Sequence, residues 1–435
     1  DREKTDNREF PNRKIHQTGQ PCSCRGGRMI YVLLTYILYP FLYFLTSLKK
    51  SPSIPLFQRG ALKSPPLVKG GKGGFSGKFK KILIIQTAKI GDMICSTPVF
   101  REIKRHYPAA RLSVIANPVT TELLKYNPLV DNIISLDTKT LKGISGKLKL
   151  IRLLYSGKYD ICISLNPNIP FTIAPIWSLI PIRAAILPDY IGATLKMALR
   201  FNTHNVRHEA KKLVSQTYMD MLKTIGINTE SISKEVYKSP DADKKVEGFL
   251  SGFPGIRNNL KIGIAVSSGN KLKELGKDTI VSLISKLTAN PDVKIILIGS
   301  QADKNSSREI LNMSDNKNVI IDTAGMFNLS ELPALLEQLS LFIGADTGIT
   351  YMADALSVPL IDIAGPSDMS DQRPLGKNSI IIQKNIPCVP CSHSFMAPYS
   401  SKRGDRICIT SVSVLEIVEA AKKLLGMSYE STKAN

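Results

Sequence analysis

KILIIQTAKIGDMICSTPVFREIKRH, residues 81–106, decides how the chain is read. KILIIQT (81–87) is a short apolar run rich in β-branched residues, the composition of a strand covered on both faces. AKIGD follows as a turn, and the stretch from Asp92 to His106 is amphipathic with a helical period. Strand, turn and helix in that order are one step of an α/β fold with a parallel sheet.

Outward from this unit the step repeats. Apolar runs fall at RLSVIA (111–116), NIISL (132–136), DICISL (160–165) and RAAIL (183–187), with helix-like segments between them. A helical period from Glu209 to Ile225 ends at Gly226, and a polar stretch with Pro240, Asp241 and Asp243 marks a boundary. The pattern restarts with KIGIAV (261–266) and continues through VKIILIG (293–299), NVIIDTAG (318–325), SLFIGADTG (340–348), VPLIDIAG (358–365) and SIIIQ (379–383). Two parallel-sheet lobes are expected, over 79–240 and 258–410, with a closing helix in 411–426 whose apolar face docks back across the lobes.

At 435 residues, with 43% hydrophobic and 22% charged, the chain has the size and composition of two globular lobes plus extensions. The formal charge of +22 is unevenly spread: residues 1–81 hold 16 Lys and Arg against 4 Asp and Glu. More than half of the excess lies in a tail and linker without a nucleic-acid module or interleaved aromatics, so no nucleic-acid partner is expected. Seven scattered cysteines do not form a disulfide framework and suit a reducing compartment.

Upstream of the lobes, residues 1–28 read as a disordered basic tail and 49–78 as a Pro/Gly/Lys linker. Between them MIYVLLTYILYPFLYFLTSL (29–48) reads as a membrane segment flanked by Arg25, Arg28, Lys49 and Lys50. A single crossing, a helix lying in the interface, and a stretch unused by the working protein all fit it.

Ligands of open α/β sheets bind beyond the carboxyl ends of the strands. Four loops there carry chemistry. Asp92 offers a base at a strand-to-helix turn, although Asp there also caps helices without catalysis. Ser267 and Ser268, followed by Lys273, place hydroxyls and a cation where a phosphate can sit, although a solvated loop would look the same. Asp346-Thr347-Gly348 opens a helix whose N-terminus suits a diphosphate, with Asp346 turned to sugar hydroxyls or a lysine. Cys388, Cys391 and Cys408, with His393 nearby, are weak candidates for a tetrahedral metal site.

Taken together, KILIIQTAKIGDMICSTPVFREIKRHYPAARLSVIA (81–116) and FIGADTGITYMADALSVPLIDIAGPSD (342–368) with CVPC (388–391) resemble glycosyltransferase family nine, the ADP-heptose:lipopolysaccharide heptosyltransferases. The resemblance covers nearly all of 80–425. It implies a glycosyltransferase-B fold, an ADP-heptose-like nucleotide-sugar donor held mainly by the C-terminal lobe, and a glycolipid acceptor presented to the N-terminal lobe. It also implies metal-independent transfer without cofactors, at the inner face of the cytoplasmic membrane. Asp92 matches the family's catalytic carboxylate, Lys273 its phosphate-contacting lysine, and Asp346-Thr347-Gly348 its donor-binding turn. Two positions depart: Tyr351 stands where the family often has His, and Ser164 where an acidic residue is usual. The competing readings are a different nucleotide-sugar donor, a non-catalytic membrane-tethered binding module, and a nicotinamide oxidoreductase. Against the last, no G-x-G-x-x-G opens either lobe.

Overall fold

The computed structural model describes residues 25–48, 79–188, 191–256, 258–398, 400–401 and 403–426. The basic tail up to residue 24 and the linker 49–78 therefore lie outside the described residues.

The first lobe holds β1 (Lys81–Gln86), β2 (Arg111–Ala116), β3 (Asn132–Ser135), β4 (Ile161–Ser164), β5 (Ile182–Leu187) and β6 (His204–Arg207). Its helices are α1 (Arg25–Leu48), α2 (Ile90–His106), α3 (Thr121–Leu124), α4 (Gly143–Gly157), α5 (Ile169–Trp177), α6 (Ala193–Leu199) and α7 (Val214–Thr224). The second sheet comprises β7 (Leu260–Ala265), β8 (Val293–Ile298), β9 (Ile320–Asp322), β10 (Leu341–Ala345), β11 (Leu360–Ile363) and β12 (Ser379–Ile382). Around it run α8 (Ala242–Leu250), α9 (Lys277–Leu287), α10 (Lys304–Met313), α11 (Leu332–Glu337), α12 (Gly348–Ala355), α13 (Ile407–Thr410) and α14 (Val414–Leu425).

The strand orders are β3-β2-β1-β4-β5-β6 and β12-β11-β10-β7-β8-β9. All neighbouring strands run parallel, as in Ile85↔Ile115 and Phe342↔Leu360. Parallel sheets need cover on both faces, which is why Ile82 to Ile85 are all fully buried and the strands read as continuous apolar runs. The strand missing from the sequence reading is β6. Its residues HNVR form no apolar run because half-buried His204 and Val206 alternate with exposed Asn205 and Arg207.

One apolar core runs through both lobes, joining Met93 and Ile94 of α2 to Tyr351 and Met352 of α12. The closing helix departs from expectation. Instead of crossing the lobes, α14 buries Ile417, Val418 and Ala421 in the second lobe's own core, with Ile361, Ile363 and Leu283. There it meets α9 and strands β10 to β12 of the second sheet, and burying both apolar surfaces together is favourable. Ser413 and Glu416 cap its start reciprocally. Helix α8 falls between the lobe boundaries expected at 240 and 258, and it packs on α11. We propose counting it with the second lobe.

Candidate active site

In each sheet the strand order reverses once, between β1 and β4 and between β7 and β10. Loops leaving the two strands at such a point diverge and open a crevice. The two crevices face each other across a cleft of about 1260 Å³ lined by residues of both lobes. Asp92, Ser267, Ser268, Lys273, Asp346, Thr347 and Gly348 all line it.

Helices α2 and α12 begin side by side in the cleft. Their close approach requires glycine: a β-carbon on Gly348 would lie 2.5 Å from Ile90 Cβ and 3.1 Å from the Gly91 nitrogen. A β-carbon on Gly91 would in turn lie 3.0 Å from the Tyr351 ring. Two helix N-termini pointed into one cleft concentrate unpaired N–H groups and positive dipole ends, a setting for a diphosphate.

Asp92 sits on the first turn of α2, where its Oδ2 accepts from the Lys89 N–H at 3.2 Å. It does cap the helix, and the carboxylate also lines the cleft. Burial pushes its pKa up to about 6, against the lowering effect of the Lys89 N–H and of the Lys273 and Lys89 charges.

Lys273, in the turn after β7, puts Nζ 2.6 Å from Asp346 Oδ2 and 3.2 Å from the Asp346 carbonyl oxygen. The Tyr351 hydroxyl donates to Asp346 Oδ1. Asp346 therefore faces a lysine and a phenol, and the position where histidine is usual serves as its second clamp. Beside it the Thr347 Oγ1 is buried without a hydrogen-bond partner. A buried hydroxyl without a partner at a helix start is able to donate to the oxygen of a bound ligand.

Ser267 and Ser268 reach the cleft wall but their hydroxyls are engaged. The Ser267 Oγ donates to Asp303 Oδ1 at 2.6 Å, and the Ser268 Oγ accepts from the Asn270 N–H at 3.2 Å. Beneath the site on β11, Asp362 is fully buried with both oxygens unpaired. Burial and the Asp346 charge hold it well above the usual carboxylate range. On β4, Ser164 is buried with an unpaired hydroxyl.

The loop after β11 supplies Asp368 and Asp371, which the sequence reading missed, and the segment after β12 supplies His393, which it placed only beside the cysteines; Asp368 and His393 line the cleft. Asp368, Asp371 and His393 bring one ligand-type atom each within 4.8 Å of one another, the one such group among the described residues. His393 Nδ1 lies 3.0 Å from Asp368 Oδ2, so the cluster stands as a hydrogen-bonded ion pair. His208 Nε2 of the first lobe reaches Asp371 Oδ1 at 3.3 Å. These partners are 163 positions apart, and no local pattern announces them. Asp303 was more legible, since Ser300 and Asp303 form a capping box at the end of β8. Cys388, Cys391 and Cys408 do gather, around a cavity of about 30 Å³ outside the cleft, but their sulfurs do not approach within 4.8 Å as a trio.

Two facing Rossmann-like lobes with a polar site between their switch points define a glycosyltransferase-B architecture. Among solved structures the chain is similar to a family nine glycosyl transferase from Veillonella parvula, with a TM-score of 0.67 and 20% identity over 80% of this chain and 98% of that one. It is also similar to the ADP-heptose lipopolysaccharide heptosyltransferase II of Escherichia coli, with a TM-score of 0.62 and 19% identity over 79% and 98%. In sequence it is 23% identical to lipopolysaccharide heptosyltransferase 3 of Escherichia coli over 347 residues, covering 79% of this chain and 98% of the relative. The family model "Glycosyltransferase family 9 (heptosyltransferase)" matches residues 147–398. The chain belongs to that family.

Proposed function

We propose that the protein transfers a heptose-like sugar from an ADP-linked donor to a hydroxyl of a lipopolysaccharide-core or related glycolipid, by a single inverting displacement. The observation that carries this is the convergence of Asp92, the Lys273–Asp346 pair and the orphan Thr347 hydroxyl where α2 and α12 begin together. The name of the Escherichia coli relative, an ADP-heptose lipopolysaccharide heptosyltransferase, supports the donor and acceptor class.

In this mechanism the ionised Asp92 takes the proton from the acceptor hydroxyl as its oxygen attacks the anomeric carbon. The bond from that carbon to the donor's diphosphate oxygen breaks, and the leaving ADP carries the electron pair. Lys273, the Thr347 hydroxyl and the N–H groups of Gly348 and the first turn of α12 stabilise its growing charge. Asp346, clamped by Lys273 and Tyr351, orients the lysine and faces the sugar. No step in this mechanism requires a metal or a cofactor. The membrane that carries the acceptor is the inner one, approached from its cytoplasmic side.

Calorimetric titration of the full chain with ADP, UDP and GDP tests the donor. ADP alone should bind, and Lys273→Ala should weaken it at least about tenfold, since a charge-assisted contact to phosphate is lost. Preference for UDP or GDP would keep the transferase and discard the adenosine donor. Donor binding without turnover on any glycolipid would leave a non-catalytic binding module, the reading that Ser164 and Tyr351 keep open.

A further inference from the structure

Helix α1 is apolar all round, and its two sides do different things. Val32, Thr35, Tyr39 and Leu42, at helical spacing, lie against Ile173, Ile176, Ala198 and Phe201 of the first lobe. The Trp177 indole N–H donates to Thr35 Oγ1 at 2.9 Å, and the Tyr31 and Trp177 rings stack. On the opposite side Ile30, Leu34, Ile37, Phe41 and Phe44 form a second stripe that is 45–73% exposed. A helix buried on one side accounts for half of its apolar character, and water accounts for none of the rest.

Helix α4 packs on α5 and approaches α1 through Lys147, whose Nζ lies 5.3 Å from the centre of the Tyr31 ring. It too exposes apolar residues, Ile144 at 76% and Leu148 at 49%. From Thr138 to Tyr159 the chain has six basic residues and no acidic one, among them the exposed Lys142, Lys149, Arg152 and Lys158. Apolar side chains flanked by unneutralised cations match one surface, a bilayer with anionic headgroups.

We infer that α1 and α4 form an in-plane membrane-binding face, with α1 inserted sidelong while docked on the lobe. A crossing helix would strip Thr35 from Trp177 and expose the apolar surface of α5 and α6. The inference deepens the proposed function by resting on its lipid acceptor, but binding to membranes is measured without any turnover.

The test is co-sedimentation of the full chain with phosphatidylglycerol-containing vesicles and with pure phosphatidylcholine vesicles. Trp177, the one tryptophan in the sequence, reports on α1. Binding should favour the anionic vesicles and fall with salt. Ile37→Asp with Phe41→Asp should weaken it about tenfold or more, and Lys149→Gln with Arg152→Gln should reduce the anionic preference. Iodide quenching of Trp177 should stay low on vesicles. Strong quenching there would mean that α1 has left the lobe to cross, which overturns the in-plane reading. Absence of vesicle binding, or binding indifferent to both double variants, overturns the surface itself. A dimer that becomes monomeric in the aspartate variant, without vesicle binding, would assign the face to a second copy. Thermal unfolding of each variant checks that it is folded, and ADP titration of the unaltered chain is read separately, so that absence of ADP binding there refutes the proposed donor and leaves this inference standing.

Discussion

At Asp92 the fold and the proposed chemistry make opposite demands on one carboxyl group. Burial raises its pKa to about 6, so the folded state holds the proton more tightly than the unfolded chain does. The ionised form required of a base then costs stability once the pH passes about 6, and the cost is absent below about 4. Asp92→Asn keeps an oxygen for the Lys89 N–H and removes that cost. It should raise the melting temperature at pH 8, by the equivalent of about 1–3 kcal/mol, while lowering kcat at least about a hundredfold. A pH profile of kcat/KM should fall on the acid side with an apparent pKa near 6. Full turnover by a folded Asn variant would remove Asp92 from the role of base. Tyr351→Phe takes one donor from Asp346 and should weaken donor binding by about 1–2 kcal/mol in calorimetry, with little change in fold. That these residues would meet at one cleft was largely legible beforehand. Asp92, Lys273 and the Asp346 turn stand at strand ends, where a single sequence reveals them. Their partners were not legible, because a hydrogen bond between residues 73 positions apart leaves no local trace.

At the scale of elements, the decisive contact is between the starts of α2 and α12. Gly348→Ala drives a β-carbon into Ile90, a β-branched residue with little freedom to move. It should separate the two helix ends and cost about 1–3 kcal/mol of stability, read by thermal unfolding, with a larger proportional loss in ADP affinity. An unchanged melting temperature and ADP affinity would show that the contact is looser than its geometry. The strands were readable because both sheets are parallel and doubly covered, which makes almost every strand a continuous apolar run. Strand β6, whose residues are half-buried or exposed, was hidden by the same logic. Helix α14 was readable as a helix but not in its destination, because an apolar stripe specifies that it must be covered and not by what.

For the molecule as a whole, Asp371 links the lobes. It meets His208 and the backbone N–H of Val214 on one side and His393 on the other. Hydrogen bonds from both histidines hold its carboxyl well below the usual range, and the Asp371 and Asp368 carboxylates raise the His393 pKa. The contribution of Asp371 is therefore present above about pH 4 and fades as acid protonates it, while that of His393 is full below about pH 6.5 and fades as its raised pKa is passed. Asp371→Ala should cost about 2–4 kcal/mol in thermal unfolding at pH 6, with a smaller cost at pH 9. Equal costs at both pH values would show that His393 is not part of the link.

Composition and periodicity alone determined that this chain makes two parallel-sheet lobes, where all their strands but β6 lie, and which loops carry a carboxylate, a lysine and a glycine at a helix start. These are local properties, written in runs of fewer than twenty residues. Tertiary structure alone decided that Lys273 and Tyr351 hold Asp346, that Asp371 bridges the lobes, that α14 stays on its own lobe, and that α1 lies flat against α5 and α6. Each of these depends on which distant surface is left uncovered once the sheets have formed, and burial pairs surfaces by shape and availability rather than by their order along the chain.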